Sequence, residues 1–244
     1  MVSDRLPAPR RGEWRSVVRE CDQSFEAYVR DCANRKSATR SRLILLPLGD
    51  LASRFGPTLS LLRDYGSIFF GLDAQLGDAQ AITDAAQVPQ RSQYNSSMIL
   101  DDLAERLDNQ ALITLAITDV DLFSRGTRYV FGEGTLERRV GICSLARLAT
   151  PDESLFRRRA LRLMSHEAGH ILSLSHCVRR RCLMQGANTL EESDHQPLQP
   201  CAEDLRKLHW NTGVDLCRRA DGLRDFYARL GWTGESGIVR ADLG

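Results

Sequence analysis

No apolar run in this sequence approaches the ~20 residues that a membrane-crossing helix requires. The opening stretch MVSDRLPAPRRGEWRS has charges but no apolar core behind them, so it does not read as a secretory signal. Neither sign of charge is in excess. Against 32 acidic residues there are 33 basic ones, a net charge of +1, which excludes phosphate neutralisation as the basis of an obligate nucleic-acid partner. Arg179, Arg180 and Arg181 form the densest basic cluster and read as a solvated loop beside the candidate site. Internal repeats and low-complexity tracts are also missing, so the chain is not a repeat array. Seven cysteines, an odd number unevenly spread, do not make a disulfide framework and read instead as reduced thiols or metal ligands in a cytoplasmic protein.

What is present suits an ordinary globular enzyme. With 244 residues, 42% of them apolar, the chain can bury a real core as one domain divided by a cleft, and a monomer is expected. The natural division runs 1–38 for an N-terminal arm and helix and 39–244 for the body. That body splits into 39–172 and a smaller C-terminal part, 173–244.

Apolar positions at Trp14, Val18, Cys21, Phe25, Tyr28 and Cys32 predict one amphipathic helix after a polar arm over 1–12. Arg42–Leu48 (RLILLPL), Ser67–Leu72 (SIFFGL) and Ala111–Thr118 (ALITLAIT) read as buried strands, separated by a helical segment at Leu51–Tyr65, interrupted or restarted at Gly56-Pro57, and a helix that Asn95 caps. Residues 73–93 have no clear period and read as loop with room for a short helix. Tyr129–Gly132 and Arg139–Leu145 look like two further strands. Thr150-Pro151-Asp152-Glu153 then opens a long helix, with threonine in the capping position. Strands alternating with helices predict an α/β fold with a mostly parallel sheet and crossover helices.

Histidine is scarce. Of five in the chain, three fall within the eleven residues His166–His176. His166 and His170 are four apart, so on a helix both imidazoles leave the same face and can converge on a zinc ion. Glu167 stands beside them to take a proton from water, and His176 would complete three protein ligands with a fourth position open. A helix cannot place His176 beside His170, so the chain must turn sharply at Ser173. Such a turn demands a left-handed backbone that costs serine on the order of 1 kcal/mol. His195 and His209 lie outside the pattern and read as structural or surface residues.

The segment HEAGHILSLSHC (His166–Cys177), followed by Cys182-Leu183-Met184, resembles the archaemetzincins, a branch of the metzincin metalloproteases. Their pattern is HExxHxxGxxHC, then C-x-M, then C-x-x-C. RSQYNSSMIL (Arg91–Leu100), ITDVDLF (Ile117–Phe123), YVFGEG (Tyr129–Gly134) and SLARL (Ser144–Leu148) are similar to family segments, so the resemblance runs from about Leu43 to Asp204. It implies a metzincin-like zincin fold with an antiparallel edge strand and a long active-site helix. It also implies a zinc-dependent peptidase in which His166, His170 and His176 hold the catalytic zinc and Glu167 is general base and acid. A peptide substrate would lie along the edge strand at Tyr129–Gly132, and Met184 would form the floor beneath the metal. The family further implies a second, structural zinc on four cysteines. Cys177, Cys182 and Cys201 match three of them, while Asp204 stands where the fourth should be. Asp204, Cys217 or His195 could complete that shell, or the site could be empty. Two readings from other classes stand beside the peptidase: a zinc-binding partner protein without catalysis, and a zinc hydrolase of non-peptide amides or esters.

Overall fold

The computed structural model describes residues 5–239. Two short helices, α1 (Trp14–Val17) and α2 (Phe25–Asp31), precede β1 (Arg42–Pro47), α3 (Leu51–Phe70) and β2 (Asp73–Leu76). Next come β3 (Gln87–Val88), β4 (Gln93–Asn95), α4 (Ser96–Glu105), β5 (Ala111–Thr118), β6 (Leu122–Phe123), β7 (Gly132–Gly134) and β8 (Val140–Ser144). The chain continues through α5 (Glu153–Ile171), α6 (Leu190–Asp194), α7 (Ala202–Thr212), α8 (Leu216–Arg229) and α9 (Thr233–Gly237).

The central sheet has the order β2-β1-β5-β8-β7. β2, β1, β5 and β8 run parallel, and β7 closes one edge antiparallel to β8. β5 lies mid-sheet with every residue buried, which is why ALITLAIT is apolar without alternation. Leu43, Leu45, Leu115, Ile117 and Cys143 face a core shared with α3, α5 and the C-terminal helices. Leu46, Ala116, Val140 and Ile142 face the other side, against Ile99, Leu100 and Leu103 of α4. The sheet is thus covered on both faces, and α5 packs along β5, β7 and β8. The remaining strands β3, β4 and β6 form a small separate sheet. No helix among the described residues is long and apolar enough to cross a membrane.

Three local expectations change. Ser67–Phe70 is not a strand but the last turn of α3, which runs on to a left-handed C-cap at Gly71 (φ 64°). A short apolar run fits a buried helix end as well as a strand, and β2 starts beyond it in the unpatterned DAQL. The interruption expected at Gly56-Pro57 is there as a kink within α3, because proline lacks the N–H and crowds the preceding turn; Phe55 takes up the bend at φ −126°. The cap of α5 is Asp152, whose Oδ1 accepts the Leu155 N–H at 3.1 Å, and not Thr150. Finally, the stripe from Trp14 to Cys32 is not one helix. α1 ends at Val17, α2 starts at Phe25, and the extended chain between them leaves Cys21 exposed. That chain instead sends Glu20 and Gln23 to the segment 173–176. Asn95 does cap α4, its Oδ1 accepting the Ser97 N–H.

Candidate metal centre

α5 carries Arg162, His166, Glu167 and His170 on the side facing a cleft of about 750 Å³. Its C-terminus is a Schellman-type stop: Leu174 N–H donates to Gly169 O at 3.0 Å and Ser173 N–H to His170 O at 2.8 Å. Ser173 occupies the left-handed position, φ 67°, as the sharp-turn argument requires. Its hydroxyl donates to Leu136 O at 2.9 Å. Beyond the turn the chain reverses and delivers His176 to the same point as His166 and His170. Ring centroids are 4.7, 5.3 and 4.6 Å apart for the pairs 166–170, 166–176 and 170–176.

Hydrogen bonds orient each ring. Nδ1 of His166 lies 2.9 Å from Leu183 O, that of His170 2.7 Å from Leu174 O, and that of His176 3.0 Å from the Glu20 carboxylate. A carbonyl or carboxylate oxygen only accepts, so each Nδ1 carries its hydrogen and each Nε2 keeps a lone pair. The Nε2 atoms of His166 and His170 approach to 3.1 Å. A tetrahedral zinc with Zn–N bonds of about 2.0–2.1 Å holds neighbouring nitrogens about 3.3 Å apart, so the donor set fits that ion. The imidazoles are held neutral. Burial, then its histidine and arginine neighbours, push His166 well below its ordinary range; burial followed by His176 brings His170 down to about 4, and burial followed by Arg162 does the same to His176.

Glu167 is buried on the same helix, with its carboxyl pushed up to about 8 by burial and by the neighbouring Glu133 charge, against Arg162 and the Gly134 N–H. Edge strand β7 lies directly against it. A methyl group at Gly132 would stand 2.9 Å from Glu167 Oε1, and one at Gly134 would stand 2.9 Å from His170 Cβ. Glycine at both positions lets the strand close onto the helix, a role not visible in the sequence. The strand itself starts at Gly132, three residues later than expected, while Tyr129, Val130 and Phe131 line the cleft.

Met184 is buried beneath α5, its Sδ 2.5 Å from where a Gly169 Cβ would be, so only glycine there admits the methionine. Arg162 fixes the loop that carries it by donating to Leu183 O and, at 2.9 Å, to Gln185 O.

A second cluster lies at Cys177. Ligand atoms of Cys177, Cys182, Cys201 and Asp204 all fall within 4.8 Å of one another, and all four residues are buried. Asp204 Oδ2 is 3.1 Å from Cys182 Sγ, and Asp204 Oδ1 accepts from the buried Lys207 at 2.8 Å. Backbone N–H groups of Cys201 and Met184 point at Cys182 Sγ, 3.1 and 3.4 Å away. Hydrogen bonds from Cys182 and Cys201 hold the Cys177 thiol below its ordinary range. Neither alternative fourth partner is here. Cys217 is exposed on α8, and His195 is exposed with its ring bonded to Glu191 O. His209 serves the end of α7 through Val214 O.

An HExxH helix under a mostly parallel sheet, a third histidine beyond a sharp turn and a buried methionine define the zinc metallopeptidase class. The comparisons agree. A family model described as peptidase family M54 matches residues 80–210, more than half of the chain. Archaemetzincin-2 of Mus musculus is 29% identical over 250 residues, covering 85% of this chain and 70% of the relative. Archaemetzincin of Pyrococcus furiosus is 30% identical over 191 residues, covering 73% of this chain and 98% of the relative. The crystal structure of archaemetzincin from Archaeoglobus fulgidus, in complex with malonate, superposes with a TM-score of 0.61 at 29% identity, covering 68% of this chain and 99% of that one. The chain belongs to peptidase family M54, the archaemetzincins, and is a zinc metallopeptidase.

Proposed function

We propose that His166, His170 and His176 hold a catalytic zinc and that Glu167 moves the protons of peptide hydrolysis. The observation that supports this most is that His166, His170 and His176 bring ligand nitrogens within 4.8 Å of one another while every Nδ1 has its own acceptor. Zinc supplies Lewis acidity there, to the scissile carbonyl and to water. Glu167 accepts the proton of the attacking water at a carboxylate oxygen and delivers it to the departing amine nitrogen. Its burial between α5 and β7 suits this, because a carboxyl raised toward neutrality both takes and returns a proton. An extended peptide pairs its backbone with Gly132–Gly134, which holds the scissile bond over the metal without reading much sequence. The cleft separates the body 39–172 from the part 173–244.

Cys177, Cys182, Cys201 and Asp204 hold a second, structural zinc. An oxygen ligand is weaker than a thiolate for this ion, and Lys207 balances part of the anionic charge of the set. The enzyme works as a cytoplasmic monomer, with peptides or proteins as its partners and no nucleic acid or membrane. The test is hydrolysis of a diverse peptide mixture by the purified protein, read by mass spectrometry before chelation, after it and after zinc return. Cleavage lost and regained with zinc is expected; cleavage indifferent to the chelator would overturn the proposal.

A further inference from the structure

Two of the three candidate ligand histidines are set by the protein backbone. The third is set by a side chain from a distant part of the sequence. Both oxygens of Glu20 lie within hydrogen-bond distance of His176 Nδ1, at 3.1 and 3.0 Å, across 156 positions of the chain. Glu20 stands in the extended segment between α1 and α2, well before residue 80, where the family match begins.

Its neighbours act on the same stretch. The Gln23 amide clasps the turn from both sides, donating to Ser173 O at 3.0 Å and accepting from Ser175 N–H at 3.2 Å. Tyr28 Oη donates to Leu172 O at 2.8 Å and Asn34 Nδ2 to Ile171 O at 2.9 Å. The Trp14 ring packs 4.5 Å from the His176 ring and, with Val18, forms one wall of the cleft. His166 and His170 ride on a rigid helix. His176 follows a left-handed serine and has no such support of its own, so this segment supplies it.

We infer that Glu20 is the positioning residue of the third metal ligand and that the segment 14–34 is part of the metal centre rather than an appendage. The inference rests on the three-histidine site proposed above. A carboxylate that accepts the Nδ1–H fixes the tautomer and orientation of the ring and makes its Nε2 a better donor than a carbonyl acceptor would. Removing such a partner from a metal-bound histidine weakens metal binding by about 10–100-fold.

The test is Co²⁺ and Zn²⁺ titration of the full chain and of Glu20→Ala, Glu20→Gln, Asp22→Asn and His176→Ala. The visible Co²⁺ bands that are lost in His176→Ala report the histidine site, near-ultraviolet thiolate bands report the cysteine cluster, and competition with a chromophoric chelator gives the Zn²⁺ affinity. Glu20→Ala is expected to weaken the histidine site about 10–100-fold and alter its visible spectrum, with the thiolate bands unchanged. Glu20→Gln, which keeps an uncharged acceptor, should fall between Glu20→Ala and the parent, and it carries the test if Glu20→Ala fails to fold. Asp22, which pairs with Arg179 rather than with the turn, should be neutral when changed to asparagine. If His176→Ala removes part of the visible bands and the thiolate bands persist, while both Glu20 variants bind as tightly as the parent, the role of Glu20 is refuted and the three-histidine site stands. If His176→Ala itself leaves binding unchanged, the underlying site is wrong.

Discussion

Replacing Gly134 with alanine puts a methyl group against the backbone of the active-site helix. Its nearest neighbour would be the Glu167 carbonyl oxygen, followed by His170 Cβ at 2.9 Å and the Glu167 carbonyl carbon at 3.2 Å, where ordinary contact begins at 3.4 Å. None of these atoms is the free end of a flexible side chain. Relief must come from β7 moving away from α5 by on the order of 1 Å, at a stability cost of about 1–3 kcal/mol, as for other overpacked sites. The histidines do not lie on β7, so zinc content should stay at the parent value. A substrate aligned on a strand displaced by that distance should lose about 10²-fold in kcat/KM. Gly56→Ala in α3 is the control, because nothing lies within 4 Å of the added carbon and alanine favours a helix by about 0.5–1 kcal/mol. The assay is kcat/KM on an identified peptide, together with thermal melting and elemental zinc. Activity of Gly134→Ala within twofold of the parent would show that β7 does not align the substrate.

Two further changes address the second cluster and the turn. Asp204→Ala should reduce the metal content from two zinc ions per chain to one and lower stability by about 3–5 kcal/mol, since it strands the buried Lys207 ammonium. Asp204→Cys should keep two ions per chain; elemental analysis and chemical denaturation read both. Ser173→Val places a β-branched residue at φ 67° and removes the hydroxyl bond to Leu136, so a loss of about 2–3 kcal/mol and weaker zinc binding are expected in melting and chelator competition.

The clustering of the three histidines beside Glu167 was legible in the sequence because it is local. His166, Glu167 and His170 share one helix, and the need to bring His176 back forced a turn at Ser173 whose left-handed backbone the structure contains. β5 and the Asn95 cap were legible for the same reason. Asp204 was one of several candidate partners for the three cysteines, and only the fold, which leaves Cys217 and His195 at the surface, favours it. What escaped was tertiary. Ser67–Phe70 carries the same apolar run whether helix or strand, and α3 decided it by continuing to Gly71. The stripe from Trp14 to Cys32 has helical spacing, yet bonds to Ser173, Ser175 and His176 hold its middle extended. Nothing near Glu20 in sequence announces a histidine 156 positions away.

The central claim is that one buried carboxylate moves the protons while three histidines hold the metal. Paired measurement of zinc per chain and peptide hydrolysis in Glu167→Ala tests it most directly. Zinc bound as in the parent with hydrolysis of the peptide library abolished is the predicted result; hydrolysis that survives the substitution contradicts the account.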